Sequence, residues 1–263
     1  MRIVVRRHVD PMLVSHRYKF IYTKTRKTAG SSVESYFEPF CMSDGEWTQR
    51  HLREEYVSAA GIIGFRGKAA NVGVARWWNH MPARLIRERI GEDTWKSYFK
   101  FCVIRNPFEK AISAFYHSKR HARSERARRE VPWTDDDPQL FEDWLERRPP
   151  PIDRDTFCIE GRFALNDFIR YENLVPDMQR ICEHLGLRWE PERLPAFKAG
   201  IRPPEATAQR LYTARSRKIV RQAYRFELRY FRYDFPEVGE APSGGSTKSR
   251  IVLSGRNGHK NHR

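Results

Sequence analysis

A short apolar run, Tyr18 to Tyr22, empties into the polar, glycine-containing turn Thr23 to Gly30, and a helical pattern opens at Ser31. The same order returns at Tyr98 to Ile104, an aromatic and β-branched run. There Asn106-Pro107 starts a helix through about Lys119, with Phe108, Ile112 and Phe115 on one apolar face. It returns once more where Asp167 to Tyr171 feeds Leu174 to Leu185, whose Leu174, Met178, Ile181 and Leu185 fall at helical spacing. Strands alternating with helices favour an α/β domain with a central parallel sheet flanked by helices.

Other helices are expected over Ala83 to Ile90, with Pro82 at its start and Gly91 at its stop, and over Leu140 to Glu146, ended by Pro149, Pro150 and Pro151. A basic amphipathic helix is expected over Arg215 to Arg229. Gly61, Gly64, Gly67 and Gly73 break the periodicity of 41–79, which reads as a loop-rich insertion, and the arginine-crowded 119–138 reads as a second. One domain over 1–238 and a flexible basic tail over 239–263 follow.

Lys and Arg total 49 against 33 Asp and Glu, a formal charge of +16, so the surface attracts polyanions: nucleic acid, acidic glycans, nucleotides or anionic lipid. Charge alone does not choose among them, and a solvated basic surface with no single partner is a further reading. Cys41, Cys102, Cys158 and Cys182 lack the spacing of a zinc site or the density of a disulfide scaffold, so reduced thiols are expected, with Cys102 and Cys182 in the core. No segment is long and apolar enough to span a bilayer, and Met1 to Asp10 is charged throughout. A soluble, cytoplasmic protein is expected, with membrane-surface association left open.

The turn from Thr23 to Ser32 lies where backbone N–H groups and a helix dipole hold an anion. Lys27 adds a point charge, Thr28, Ser31 and Ser32 add hydroxyl donors, and Gly30 lets the backbone approach closely. The order departs from GxxxxGK[ST], because the first glycine is missing and the lysine precedes the only glycine, which argues against an ordinary ATP-binding loop. Taken alone, the segment also fits a polar turn with an incidental lysine. Arg105 stands at the end of the second strand and Ser113 follows on its helix, so both can converge on one anion at the sheet's carboxyl edge. An arginine fork there suits a terminal phosphate.

Together these segments resemble the sulfotransferases that use 3′-phosphoadenosine 5′-phosphosulfate (PAPS), in particular the carbohydrate sulfotransferase branch. In that family a Lys-Thr-Ala/Gly-Gly-Thr/Ser-Ser loop holds the donor's 5′-phosphosulfate, matched here by Lys27 to Ser32. An Arg-Asn/Asp-Pro segment with a later Ser holds the 3′-phosphate, matched by Arg105 to Ser113. Arg170-Tyr171-Glu172-Asn173-Leu174 is similar to the family's R-F-E-N-L element, and the likeness covers roughly residues 18 to 235. It departs where members often carry His-Ile-Pro, since Lys24-Thr25-Arg26 stand there and put two charges near the phosphosulfate.

The resemblance implies a P-loop-like three-layer fold and transfer of a sulfuryl group from PAPS to an acceptor hydroxyl, with carbohydrate or glycolipid first among acceptors and no metal required. The donor contacts it implies are Arg26, Lys27, Thr28, Ala29, Gly30, Ser31, Ser32, Arg105 and Ser113, with Lys27 stabilising charge on the leaving oxygen. Lys198 and Arg202 form either a basic loop that closes over the donor or a solvated one. His80 is the candidate general base, because some relatives use a histidine at a similar distance before the arginine strand; a hydrogen-bonded structural role is its alternative. His51 and Glu34 are substitutes for it, and the Trp77-Trp78 pair either stacks on a sugar or packs a local core. Two other functions compete. A P-loop-like nucleotide or small-molecule kinase is opposed by the missing glycine spacing, and a non-catalytic nucleic-acid binder, motivated by Arg120 to Arg129, leaves both phosphate segments unexplained. No nucleic-acid partner is expected.

Overall fold

The computed structural model describes residues 12–67, 76–78, 80–122, 131–197 and 201–237. Its centre is a six-stranded sheet. The chain enters it through β1 (Leu13–Ser15), turns at Lys19 in a left-handed conformation, and returns antiparallel as β2 (Phe20–Thr23) before α1 (Gly30–Phe37). The short strands β3 (Tyr56–Val57) and β4 (Gly61–Ile63) follow, then α2 (Ala83–Ile90), α3 (Glu92–Ser97) and β5 (Phe99–Ile104). After β5 come α4 (Pro107–His121), α5 (Asp137–Arg147) and the small hairpin of β6 (Cys158–Ile159) and β7 (Arg162–Phe163). The last sheet strand is β8 (Asp167–Arg170), followed by α6 (Leu174–His184), α7 (Ala208–Leu211), α8 (Ala214–Ala223) and α9 (Arg225–Tyr230).

The strand order is β3-β4-β1-β2-β5-β8. Only β2, β5 and β8 run parallel, and β1, β4 and β3 add antiparallel strands on one side, so the expected parallel sheet is in fact mixed. The reason lies in the segment read as loop-rich. Its glycines interrupt periodicity but do not prevent pairing: a Cβ on Gly61 would sit 2.2 Å from the Val14 carbonyl oxygen, so glycine is what lets β4 close on β1.

Alternation along the strands divides the core into layers. Phe20, Tyr22, Phe101, Val103 and Ile169 pack with Val33 and Phe37 of α1 and Met178 and Ile181 of α6. On the opposite face Ile21, Cys102 and Ile104 pack with Ile86 of α2, Trp95, Phe157 and Phe231. A third cluster joins α4, α5, α7 and α8 through Phe108, Ile112, Phe115, Phe141, Leu211 and Val220. Helices thus cover both faces of the sheet. Cys102 and Cys182 are fully buried, and Trp77 is core, with Arg89 stacked over Trp78 at 4.6 Å.

The expected helix over Arg215 to Arg229 is two helices, broken at Tyr224, whose ring is buried and whose hydroxyl donates to the Pro151 carbonyl at 3.0 Å. The arginine-rich excursion after α4 is pinned at its ends, because buried Asp137 at the start of α5 takes the Lys119 ammonium and the Tyr116 hydroxyl of α4. The tail 239–263, Lys198 and 123–130 lie outside the described residues.

Candidate active site

Parallel pairing of β2 with β5, Thr23 opposite Cys102, sets their carboxyl ends side by side, and the two anion-binding segments leave the sheet there. They touch. Arg105 donates through Nη1 to the Lys27 carbonyl oxygen at 3.1 Å, across 78 residues of sequence, and the Thr25 hydroxyl donates to the Val103 carbonyl.

The first turn is wound by Lys27 and Ala29, both left-handed, with φ of 61° and 55°. Ala29 precedes α1 and offers no side-chain cap, no acidic residue stands in the first turn, and the Ser32 and Val33 amides donate to the Ala29 carbonyl, which leaves those of Gly30 and Ser31 for an external anion. Gly30 is required by proximity, since a Cβ there would lie 2.8 Å from the Lys24 side chain and 3.2 Å from the Thr25 carbonyl oxygen. Ser31 accepts from Lys24 Nζ at 3.1 Å, and Ser32 accepts from the Phe197 backbone N–H at 3.3 Å. Both hydroxyls keep their own proton to donate. Thr28 behaves otherwise: its hydroxyl is buried against that of Thr25 at 2.8 Å, so it braces the turn from inside and does not face an anion.

The two charges that depart from the family's usual turn are accounted for by burial. Lys24 points inward, pairing with Glu34 at 2.9 Å, and both are buried. Glu34 also pairs with Arg66 at 2.8 Å, and Arg66 and Arg53 hold Glu38. Burial, then the charge of Glu34, pushes the Glu38 carboxyl up. Burial opposes the Arg66 charge, but the two carboxylates outweigh it and raise its pKa. A carboxylate neutralised by two cations away from water has no path to an acceptor proton, so this placement tells against Glu34 as the base. At Arg26 the backbone N–H donates to Asp153, a buried carboxylate that also takes the Lys110 ammonium of α4. Neither Asp153 nor Lys110 stood out in the sequence, because they are 127 and 84 positions from Arg26 and belong to no motif.

The second segment is built on the strand end. Asn106 caps α4 by accepting from the Phe108 N–H at 3.0 Å, and Pro107 follows at the first helical position. Arg105 is mostly buried, lies 4.1 Å from the centre of the Tyr171 ring and 3.7 Å from Glu109, and burial pulls its pKa below the usual value. It stays a cation at neutral pH. The Arg170–Leu174 element is the platform for this turn: Glu172 accepts the Asn106 N–H at 2.7 Å and the Tyr233 hydroxyl at 2.8 Å, while Arg170 donates to the Phe231 carbonyl. Ser113 lies one turn beyond Glu109 on α4 and is half-buried. Arg202 pairs with the same Glu109, which brings it to Arg105.

His80 is buried, left-handed at φ 51°, and its Nδ1 lies 2.8 Å from the Lys24 carbonyl oxygen. A carbonyl only accepts, so Nδ1 carries the proton and a neutral ring has its lone pair on Nε2. His51 is exposed and packs edge-on to Phe197, 5.4 Å between ring centres, at the rim beyond Ser32. Among the described residues no group of three or more His, Cys, Asp or Glu is placed to hold a metal ion, and no helix is long and apolar enough to cross a membrane.

The family model described as "Sulfotransferase family" matches residues 10–234. An uncharacterized protein of Archaeoglobus fulgidus is 30% identical over 116 residues, which is 43% of this chain and 87% of that one. No solved structure matches.

Proposed function

This chain belongs to the sulfotransferase family, and from that membership we propose that it moves a sulfuryl group from PAPS to an acceptor hydroxyl, with a carbohydrate or glycolipid as acceptor. The observation that carries the reading is the contact of Arg105 with the Lys27 carbonyl, which sets an arginine fork beside a lysine turn at one sheet edge. Two buried guanidinium N–H groups in this neighbourhood, Nε of Arg26 and Nε of Arg105, have no partner in the protein, which fits a site made for anions.

In this scheme the α1 amides with Ser31 and Ser32 hold the 5′-phosphate, and Arg105 with Ser113 holds the 3′-phosphate. Arg202 and Lys198 close over them. The acceptor oxygen forms its bond to sulfur as the bond from sulfur to the bridging oxygen breaks, and Lys27 stabilises the charge left on that oxygen. The hydroxyl proton passes to His80 Nε2, whose lone pair the Lys24 carbonyl fixes by holding Nδ1–H. A cytoplasmic setting is part of the proposal, supported by four buried cysteines that stand unpaired.

The test is calorimetry with adenosine 3′,5′-bisphosphate, the product of transfer, in magnesium-free buffer. Binding tighter than that of ATP is expected, and Arg105→Ala should weaken it about 10- to 100-fold, the loss of one or two charge-assisted hydrogen bonds. Lys27→Ala should lower kcat about 10²- to 10³-fold. Unchanged bisphosphate affinity in Arg105→Ala would remove the assignment.

A further inference from the structure

Helix α8 carries a charge pattern that its own stability does not explain. Arg215, Arg217 and Lys218 lie in its first turns, where the helix dipole disfavours cations; Glu146 of α5 pairs with Arg215 at 2.5 Å, and no acidic residue of α8's own first turn offsets the other two. Ala214, Arg217, Lys218, Arg221, Gln222 and Arg225 line one shallow furrow. The spacing of Ala214, Arg217, Lys218, Arg221 and Gln222 puts them on a single face of α8, with Ser216 and Val220 buried on the other, and Arg225 joins them from the start of α9. Like charges at this spacing repel.

Counter-charges are few. Arg221 pairs with exposed Asp234 at 3.0 Å, and the Arg217 guanidinium lies 3.9 Å from the centre of the Phe235 ring. Lys218 and Arg225 are exposed, with no carboxylate partner among the described residues. The furrow also adjoins the strand edge that holds Arg105. Phe235 packs edge-on to Phe108 of α4, 5.1 Å between ring centres, and the Asp234 carbonyl accepts from Asn106 Nδ2, the residue after Arg105, at 2.8 Å.

We infer that the surface formed by Arg217, Lys218 and Arg221 of α8 with Arg225 of α9 binds an acidic polysaccharide, a second site that holds the acceptor chain while one of its hydroxyls is sulfated. Arg217 and Arg221 stand about 6 Å apart along the α8 axis and Arg225 opens α9 beside the same furrow, a row that meets repeated negative charges on a linear chain. A neutral glycan brings no counter-charge to these cations. A nucleic-acid strand meets no aromatic side chain among the furrow's residues on which bases could stack. The inference rests on the sulfotransferase reading and names its acceptor as acidic.

The test uses the full chain and the triple variant Arg217→Gln, Lys218→Gln, Arg225→Gln, which leaves the Arg221–Asp234 pair intact. Probes of matched length are chondroitin sulfate, neutral dextran, single-stranded DNA and phosphatidylserine vesicles, with adenosine 3′,5′-bisphosphate as a separate titration. Expected results are salt-sensitive binding of chondroitin sulfate, at least 10-fold weaker in the variant, no binding of dextran, and equal bisphosphate affinity in both proteins. Equal chondroitin sulfate affinity in the two proteins overturns the site. A loss as large or larger for DNA or for vesicles overturns the polysaccharide as occupant. If neither protein binds the bisphosphate while the chondroitin sulfate difference persists, the donor reading fails and the polyanion face stands.

Discussion

Arg66 joins four acceptors that come from two other stretches of chain: the His51 and Arg50 carbonyls and the carboxylates of Glu34 and Glu38. Replacing it with methionine leaves two buried carboxylates facing one another with less positive charge, so Arg66→Met should lower the unfolding free energy by about 3–5 kcal/mol. Denaturant titration checks this, and adding Glu38→Gln to Arg66→Met should recover part of the loss. Lys100 gives a pH signature. Its ammonium is buried, donates to the Trp95 and Tyr98 carbonyls, and is pushed down to about 8 by desolvation. Below about pH 8 both folded and unfolded chains carry its charge and the burial penalty is complete. Between that value and the ordinary lysine pKa near 10.4 only the unfolded chain holds the proton, so the penalty fades as pH rises. The stability of the wild type relative to Lys100→Met should therefore increase from pH 7 to pH 10, and a flat difference would show that the group titrates normally.

At the scale of elements, the strand-to-helix turns divide the work. The first turn depends on the absence of a side chain at Gly30, where Lys24 is held in place by its ion pair and cannot give way. Gly30→Ala should destabilise the protein by about 1–3 kcal/mol and weaken bisphosphate binding together with it, measured by denaturation and calorimetry on the same preparation. The Arg170–Leu174 element shapes the second turn from below, by ring contact at Tyr171 and hydrogen bonding at Glu172. A cation–π contact of about 0.5–2 kcal/mol predicts that Tyr171→Leu weakens bisphosphate binding roughly 2- to 30-fold while Tyr171→Phe retains most of it. Adenosine 5′-monophosphate, which lacks the 3′-phosphate, should be nearly indifferent to Tyr171→Leu. An equal loss for both nucleotides would make the ring a general support and not a positioning group for Arg105.

For the whole molecule, a ligand gripped by two segments joined through the sheet should raise global stability. Adenosine 3′,5′-bisphosphate at about 100 times its Kd stabilises by about 2.7 kcal/mol, so thermal unfolding should move up several degrees, without magnesium, and ATP should do less. The sheet was legible in sequence where strands feed helices, at β2, β5 and β8, because each short strand-like run is followed by a polar turn and then by apolar residues at helical spacing. The antiparallel side escaped, since β1, β3 and β4 are two or three residues long and too short for a period to register. Loop lysine, strand-end arginine and the order of the motifs were set by local chemistry: residue type and spacing decide what can hold an anion and where a helix starts. Which of those charges stay near the surface and which are buried was decided only by folding. Lys24 and Glu34 are as polar in sequence as Lys27 and Ser31, but burial forces the first two to neutralise each other, and Asp153 reaches Arg26 solely because the sheet brings distant turns to one edge.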